Sequence, residues 1–576
     1  MQAKTNQCQN CKKDFVIEPD DFKFYEKMKV PAPMWCPECR LQRRLSFLNH
    51  QTLYKRKCDM CAQSLISVYP QSAPFPVYCP DCYWADKWDA KSYGRDYDFS
   101  KPFFEQIKEL SLSVPHVSLM GLHTTWINSE YNNFASELKN CYLLFNSDYN
   151  ENCSYGSEIE NSKECYDNTM INSCQLCYKN VNLNNCYNAR FSIDCDNCQN
   201  ILFCKNCIGC DNCVGCINLK NKKNYIFNMA YTKEGYEAKI KEFNLGSIKE
   251  LEKLKKKSKD LWLQHSNKFI HGRQNINVSG DYINNSKNVK NSYIALGSQD
   301  CRYCMWLLVK PNKDCYDYTQ FGDNAEKIYD TLVCGRNISN IKFSSCCVDS
   351  VSFVEYSDYC NSANHLFGCS FMQRGNFYCI LNKQYTKEEY EALVPKIIQH
   401  MKDMPYTDKK GRVYKYGEFF PTELSPFAYN ETIAQEYFPL TKEQAMEQGC
   451  SWKDPEERNY KIDINSQDLP DHIKDVKDDI VGKVIECSHK GECNHQCKRA
   501  FKIIPQELQF YQKMNLPLPR LCPNCRRYER LSQRNPLKLW HRKCMKEGCA
   551  NEFETSYAPD RPEIVYCEQC YQQEVA

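Results

Sequence analysis

The sequence predicts a mainly β, multidomain protein in which tandem zinc ribbons at both ends flank two cysteine-rich β-solenoids with capping helices. Three observations predict this fold class. Residues 11–58 are repeated at 497–544 without a gap, with 23 of 48 positions identical. Cysteine pairs at metal-ligand spacing occur in both copies, and cysteine and asparagine recur every three residues between them.

The bulk composition limits the class of protein. The chain has 576 residues, a net charge of +3, 40 cysteines and a mean hydropathy of −0.68. This length is typical of several domains, and the modest apolar content favours small cores that metal ions stabilise. The sequence contains neither an apolar run of about 18 residues nor a signal-peptide core. We therefore expect no membrane association and a cytoplasmic location, where C-x-x-C pairs indicate metal sites rather than disulfides.

Four groups of cysteines have the spacing of zinc-ribbon ligands. A tetrahedral zinc site takes four thiolates, and each C-x-x-C turn supplies two of them. A redox role for such pairs is disfavoured because the expected βαβ context is missing. With four thiolates no coordination position stays open, so we predict about four structural zinc ions. The predicted ligands are Cys8, Cys11, Cys36, Cys39, Cys58, Cys61, Cys79, Cys82, Cys493, Cys497, Cys522, Cys525, Cys544, Cys549, Cys567 and Cys570.

One ligand of the third group is ambiguous. Cys497 aligns with Cys11, but the segment CSHKGECNHQC carries an insertion relative to the first copy. The partner of Cys497 is therefore either Cys493 or Cys487, and we favour Cys493.

Between its ligand pairs the first ribbon reads FVIEPDDFKFYEKMKVPAP, which alternates apolar and polar residues and then becomes helical. This segment resembles the zinc-ribbon domain families marked by FxI…FYxK…PxPxxCxxCR, over roughly residues 8–44 and 487–530. The wider arrangement resembles cysteine-rich zinc-ribbon proteins of candidate-phylum bacteria. The resemblance implies zinc binding and no particular activity.

Basic residues interleaved with aromatics follow the second cysteine pair of each ribbon copy. Guanidinium and ammonium groups beside stacking rings suit a phosphate backbone and unstacked bases, so we predict contacts with RNA or single-stranded DNA. Two alternatives remain open. The arginines could compensate the charge of a four-thiolate zinc site, or the strip could bind an acidic protein. The predicted contacts are Arg40, Arg44, Arg56, Lys57, Arg526, Arg530, Arg542 and Lys543.

The middle of the chain has a three-residue period. From 141 to 216, all 13 cysteines have residue numbers divisible by three, and in triplets counted from these positions asparagine often occupies the third place. No helix has this period, whereas short apolar beats between Asn, Ser and Gly indicate a β-solenoid with inward Cys, Ile, Leu and Tyr. Asparagine tolerates the left-handed corners of such a coil. We interpret these cysteines as core filling, and a thiolate metal or redox centre is the alternative.

A second solenoid follows the first. LKNCY at 138–142 matches VKNSY at 289–293, and NSKECYD at 161–167 matches NKDCYDY at 312–318. Its cysteines fall into more than one register, which indicates insertions. Each copy ends in a TKE segment that is typical of a helix start, so we expect a capping helix on each solenoid.

The sequence contains no P-loop, GxSxG or HExxH motif, so a non-enzymatic protein without a small-molecule substrate is favoured. We predict a zinc-binding scaffold that binds RNA or single-stranded nucleic acid through the basic connectors of the ribbons. A protein-interaction scaffold that uses the solenoid faces is the alternative, and a thiolate centre in the solenoid is the third. The expected divisions are 1–95 (tandem ribbons), 96–245 (solenoid with capping helix), 246–275 (helical linker), 276–400 (second solenoid with capping helix), 401–486 (helical connector) and 487–576 (tandem ribbons).

Overall fold

The computed structural model of the chain describes residues 2–373, 375–454 and 461–575. The protein is mainly β, with 32% of residues in strands and 24% in helices. A β-solenoid of about 21 turns lies between residues 126 and 380, and four-cysteine groups lie near both termini. The predicted fold class is therefore confirmed. Within the described part of the chain, no helix is both long and apolar enough to cross a membrane.

The N-terminal region contains two small hairpins and short helices that begin next to cysteines. β1 pairs with β2 and β3 pairs with β4, both antiparallel. Pro37 and Pro80 occupy the first positions of α2 and α3, where the missing proline N–H costs nothing. The elements are β1 (Lys4–Gln7), β2 (Asp14–Ile17), α1 (Pro19–Met28), α2 (Pro37–Leu45), β3 (Tyr54–Lys57), β4 (Ser64–Ser67), β5 (Val77–Tyr78), α3 (Pro80–Tyr83), α4 (Phe103–Ser113) and β6 (His116–Val117).

The first solenoid repeats every twelve residues. Thr169 lies opposite Val181, and Val181 lies opposite Ile193, on parallel neighbouring strands. From Phe134 to Asn206 every third residue has a φ between 48° and 60°, so each coil turns four times. Its strands are β7 (Trp126–Ile127), β8 (Asn133–Lys139), β9 (Tyr142–Glu151), β10 (Ser154–Glu160), β11 (Thr169–Asn172), β12 (Val181–Asn184), β13 (Tyr187–Arg190), β14 (Ile193–Asp196), β15 (Gln199–Leu202), β16 (Asp211–Val214), β17 (Lys223–Ile226) and β18 (Met229–Ala230).

Asparagine side chains link successive coils at the left-handed positions. Asn140 donates to Asn152 at 3.1 Å, and Asn188 donates to Asn200 at 2.9 Å, each one coil further along. Asparagine fits here because it tolerates left-handed backbone and its amide can both donate and accept. Asparagine therefore occupies left-handed corners, as the sequence predicted, and its side chains form ladders along them.

Two helices follow the first solenoid. Thr232 caps α5 (Lys233–Glu242) by accepting from the N–H of Gly235. α6 (Ile248–Trp262) buries Leu251, Leu254 and Trp262 in the same apolar cluster as the outer face of the last coils. β19 (Ser266–Lys268) then pairs with a strand near the C-terminus, in register Asn267 with Val565.

The second solenoid has coils of unequal length. Paired residues are 14 apart at Ser298 and Asn312, 13 apart at Cys315 and Ile328, and 12 apart at Val354 and Leu366. These extra residues explain why its cysteines lose a single triplet phase. Its strands are β20 (Gly272–Arg273), β21 (Gly280–Asn284), β22 (Lys287–Lys290), β23 (Ser292–Leu296), β24 (Ser298–Arg302), β25 (Met305–Leu307), β26 (Asn312–Gly322), β27 (Ala325–Gly335), β28 (Ile338–Lys342), β29 (Ser352–Glu355), β30 (Asn364–Phe367), β31 (Phe377–Ile380) and β32 (Lys383–Gln384).

The remaining chain returns across both solenoids. Thr386 is the N-cap of α7 (Lys387–Asp403) and forms a capping box with Glu389, as the sequence predicted for a capping helix. The last ribbon pair repeats the N-terminal pattern of hairpins and helices. The elements after α7 are β33 (Tyr406–Thr407), β34 (Val413–Tyr414), α8 (Ile433–Tyr437), α9 (Lys442–Glu447), β35 (Ile485–Glu486), β36 (Ala500–Phe501), α10 (Pro505–Lys513), α11 (Pro523–Leu531), β37 (Trp540–Lys543), β38 (Glu552–Thr555), β39 (Ile564–Tyr566) and α12 (Glu568–Val575).

Candidate metal centres and the ribbon–solenoid interface

The first ribbon brings together the four cysteines that its spacing predicted. The sulfur atoms of Cys8, Cys11, Cys36 and Cys39 all lie within 4.8 Å of one another. Cys8 begins a turn that is closed by a hydrogen bond from its N–H to the carbonyl of Lys13 at 2.8 Å, and Cys36 is the residue before α2. The N–H of Cys36 donates to the sulfur of Cys8 at 3.2 Å, which stabilises a thiolate at that position.

The sulfur separations fit a tetrahedral ion. Cys11 and Cys36 lie 3.8 Å apart, and the corners of a tetrahedron with 2.3 Å metal–sulfur bonds are separated by roughly 3.8 Å. The second and last groups have matching separations of 3.8 Å and 3.9 Å between their central cysteines. These groups are Cys58, Cys61, Cys79 and Cys82, and Cys544, Cys549, Cys567 and Cys570.

The third ribbon corrects one predicted ligand. The group contains Cys487, Cys497, Cys522 and Cys525, whereas Cys493 lies instead beside His489 and His495. Cys487 makes the contacts of Cys8: its N–H donates to Arg499 at 2.8 Å, and its sulfur accepts from Cys522 N–H at 3.3 Å. The insertion lengthens the knuckle itself, so the first ligand stays next to β35 and the extra residues lie between the two upstream ligands.

The predicted nucleic-acid contacts include four arginines that the structure buries. Arg40, Arg44, Arg526 and Arg530 are at most 2% exposed, so their guanidinium groups cannot contact a phosphate backbone in this conformation. They lie on the inner faces of α2 and α11, which pack against the solenoids. The assignment of these four residues to a nucleic-acid surface was wrong because the spacing of charges in a sequence does not reveal which face of a helix is buried.

The buried arginines bind aspartate and threonine side chains of the solenoids. Arg44 contacts Asp317 at 3.2 Å and donates from Nε to Thr319 at 3.1 Å. Arg40 completes this network by contacting Asp317 at 2.8 Å.

The same contacts occur at the C-terminal ribbon. Arg530 contacts Asp167 at 3.0 Å and donates from Nε to Thr169 at 3.2 Å. Arg526 contacts Asp167 at 2.9 Å. The N-terminal ribbon therefore docks on the second solenoid and the C-terminal ribbon docks on the first, through one interface used twice.

Aromatic contacts repeat in the two interfaces as well. Phe24 of α1 stacks on Tyr316 with ring centroids 3.8 Å apart, and Phe510 of α10 stacks on Tyr166 at 4.2 Å. The sequence signal for this interface is the motif C-Y-D-x-T, which occurs at 165–169 and 315–319. The repeat was visible in the sequence, but nothing in it marked the aspartate as an arginine partner.

Charge in both interfaces is matched. Burial alone would lower the pKa of Arg40, but the carboxylate of Asp317 raises it well above its usual value. Burial would likewise lower the pKa of Arg526, but the carboxylate of Asp167 raises it well above its usual value. For Arg530, burial dominates over Asp167 and lowers its pKa to about 10. All three guanidinium groups remain charged at neutral pH and act as fixed cationic partners of the solenoid carboxylates.

The other four predicted contacts lie in the second ribbon of each pair. Arg56 is buried and donates to the carbonyl of Pro70 at 2.8 Å, and the half-buried Arg542 donates to the carbonyl of Ala558 at 3.2 Å. Lys57 and Lys543 are exposed. The two arginines therefore hold ribbon loops in place by hydrogen bonds, and of these four residues the two lysines are the ones that face solvent.

The sequence left open that the arginines compensate the charge of the cysteine groups, but the side chains that contact these sulfur atoms are asparagines. Asn10 donates to Cys39 at 3.4 Å and Asn551 donates to Cys567 at 3.5 Å. The aligned arginines contact solenoid carboxylates instead.

The solenoid cysteines form a column of buried thiols. Cys195 donates to the carbonyl of Ile193 at 3.3 Å, and Cys204 donates to the carbonyl of Cys213 at 3.4 Å, nine residues further along. Burial raises the pKa of both thiols well above its usual value. No donor group that fits a metal ion among the described residues includes a solenoid cysteine. This arrangement favours the core-filling interpretation.

Comparison of the chain with protein-family models, with curated proteins and with solved structures gave no match.

Proposed function

We propose that the chain is a zinc-stabilised, non-enzymatic scaffold whose ribbons hold two solenoids together and whose exposed solenoid face binds a protein partner. The observation that carries this proposal is the duplicated, crossed docking of α2 on Asp317 and of α11 on Asp167. Docking of this kind places the ribbon arginines inside the molecule. The ribbons then serve as internal clasps, and the surface left for a partner belongs to the solenoids.

The first solenoid presents a regular column of side chains to solvent, which we term the ladder strip. Its members recur every twelve residues and pair from each coil to the next about 4.8 Å apart, which makes the strip about 34 Å long. They are Lys139, Glu151, Lys163, Gln175, Tyr187, Gln199, Asp211 and Lys223.

The chemistry of the ladder strip suits a protein. Glu151 pairs with Lys139 at 3.1 Å and with Lys163 at 3.0 Å, so the charges of the strip largely neutralise one another. Tyr187, near the centre of the ladder strip, is 43% exposed. An exposed tyrosine among amides and mixed charges is typical of a protein interface, whereas a nucleic-acid surface is strongly cationic.

RNA or single-stranded DNA is the second candidate partner, and one observation favours it. The outer face of α6 exposes Lys253, Lys256, Lys257 and Lys259. Lys57 and Lys543 add exposed charge on the ribbons. This surface differs from the one that the sequence predicted, because the ribbon arginines do not belong to it.

Affinity purification from source cells, followed by mass spectrometry, tests the two candidates side by side. One variant carries Lys163→Ala, Tyr187→Ala and Gln199→Ala on the ladder strip. The matched variant carries Lys256→Ala, Lys257→Ala and Lys259→Ala on α6. We expect a protein that stays bound at high salt, is lost from the ladder-strip variant and is kept by the α6 variant.

A salt titration of the purified chain against mixed RNA and single-stranded DNA is the companion measurement. Binding that is tight at low salt, collapses as salt rises and disappears in the α6 variant would replace the protein partner by a nucleic acid. An unchanged protein profile in the ladder-strip variant would also contradict the proposed surface.

A further inference from the structure

The insertion in the third ribbon creates a second set of metal donors beside the four-cysteine group. His489, Cys493, His495 and Cys525 each offer a donor atom, and these atoms lie within 4.8 Å of one another. Cys525 also belongs to the group with Cys487, Cys497 and Cys522. The two donor sets therefore share one sulfur atom.

Distances around Cys525 fit one thiolate between two ions. Its sulfur lies 3.7 Å from the sulfur of Cys493 on one side and 3.9 Å from that of Cys487 on the other. Both values match the roughly 3.8 Å between sulfurs on one tetrahedral ion with 2.3 Å bonds. A single ion cannot explain both sets, because it would need seven donors where zinc takes four.

The histidine rings have nitrogen atoms without partners. Nδ1 of His489 and Nδ1 of His495 are buried and accept or donate no hydrogen bond in the described residues. An unpaired buried ring nitrogen is costly unless a ligand satisfies it. Tyr528 of α11 stacks on His495 with ring centroids 5.0 Å apart and planes 11° apart, which fixes the orientation of that ring.

We propose that the third ribbon holds a dinuclear zinc centre in which the thiolate of Cys525 bridges a four-cysteine ion and a second ion bound by His489, Cys493 and His495. The two ions share five thiolates and two neutral imidazoles, for a formal charge of about −1, against about −2 for one ion with four thiolates. The second ion thus reduces the negative charge that the ribbon must accommodate. With four donors each, both ions are structural.

The N-terminal ribbon is a natural control for this proposal. Its knuckle from Cys8 to Cys11 has no insertion and no histidine, and its fourth ligand Cys39 occupies the position aligned with Cys525. The first ribbon therefore holds one ion where the third holds two.

Native mass spectrometry of the zinc-loaded full chain, after exchange against a weak chelator, counts the bound ions. We expect five zinc ions in the wild type and four in the double variant His489→Asn, His495→Asn. The control variant His541→Asn should keep five, because His541 is exposed, pairs with Glu552 and belongs to neither donor set. Four ions in the wild type, or five in the double variant, would overturn the second site.

The bridge itself is tested by the two aligned cysteines. Cys525→Ala removes a ligand from both ions and should lower the count from five to three. Cys39→Ala removes a ligand from one ion and should lower the count from five to four. A count of four in Cys525→Ala would show that Cys525 does not bridge, whatever the partner of the scaffold proves to be.

Discussion

Because each ribbon docks on the solenoid of the other half of the chain, a substitution in one solenoid should affect one ribbon and leave the other as a control. Asp317→Asn removes the negative charge that faces both Arg40 and Arg44, while keeping the size of the side chain. Asp167→Asn makes the same change opposite Arg526 and Arg530 at the other end of the chain. Each variant should loosen the ribbon that is far from it in sequence and leave the other ribbon unchanged.

The magnitude follows from the burial of the charges. Asp317 and its two arginine partners are at most 1% exposed, so the arginines cannot regain water without undocking. Removing one partner of a buried ion pair costs about 3–5 kcal/mol. With about 1.4 kcal/mol for each factor of ten, the opening of the docked ribbon helix should increase by about two to three and a half powers of ten.

Hydrogen exchange read by mass spectrometry measures this opening for each helix separately. In Asp317→Asn, amide exchange should accelerate in α2 and α1 and stay at the wild-type rate in α11 and α10. In Asp167→Asn the pattern should be reversed. Acceleration in the ribbon on the same half of the chain, or in both ribbons equally, would refute the crossed arrangement.

Three further predictions concern the metal, the solenoid corners and a buried acid. Chelation should make Cys36 reactive to alkylating reagents while Cys204, which is fully buried in the solenoid, stays protected; equal labelling of both would contradict core filling. Asn185→Val should destabilise the first solenoid in urea by about 1–3 kcal/mol, because Asn185 has a φ of 50°, whereas Gln175→Val, at a β-bridge position without a positive φ, should not. Burial, followed by the nearby Cys347 thiol, raises the pKa of Asp358 to about 7, so its contribution to stability is fully present below about pH 4 and lost as pH rises to 7. In thermal unfolding at pH 8, Asp358→Asn should therefore be more stable than the wild type, by at most about 4 kcal/mol in the free energy of unfolding, and the two should not differ at pH 4.

Periodic features of the sequence predicted the local structure well. The triplet spacing of cysteine and asparagine predicted the solenoid, since each position serves one geometric role in every coil. Asn140 illustrates this, because the side chain that tolerates a left-handed corner also forms the ladder to Asn152. Pairs at C-x-x-C spacing likewise predicted the cysteine groups, because both cysteines of a pair come from one local turn.

Long-range pairing was beyond the sequence. Arg40 and Asp317 are 277 residues apart, and no local spacing connects them. A run of arginines has the same appearance whether it faces solvent or a buried carboxylate, so the charge pattern suggested a phosphate surface. The sequence favoured Cys493 over Cys487 as a ligand of the third ribbon for a related reason. An insertion changes which cysteine is the nearest neighbour of Cys497 in sequence, but the sequence does not show which one lies beside it in the fold.

Crossed docking also determines what counts as a folding unit. Arg40, Arg43 and Arg44 are balanced by Asp317, Asp330 and Glu418, all of which belong to the second half of the chain. The first half alone would lack these three carboxylates, and the arginines that they balance would face water instead of a docked solenoid. The N-terminal ribbon therefore has its full set of contacts only with the second solenoid, and the first solenoid has its full set only with the last ribbon. Although the sequence reads as a row of repeated modules, its charges pair only when the whole chain is folded, so the ribbons and solenoids form one interdependent structure.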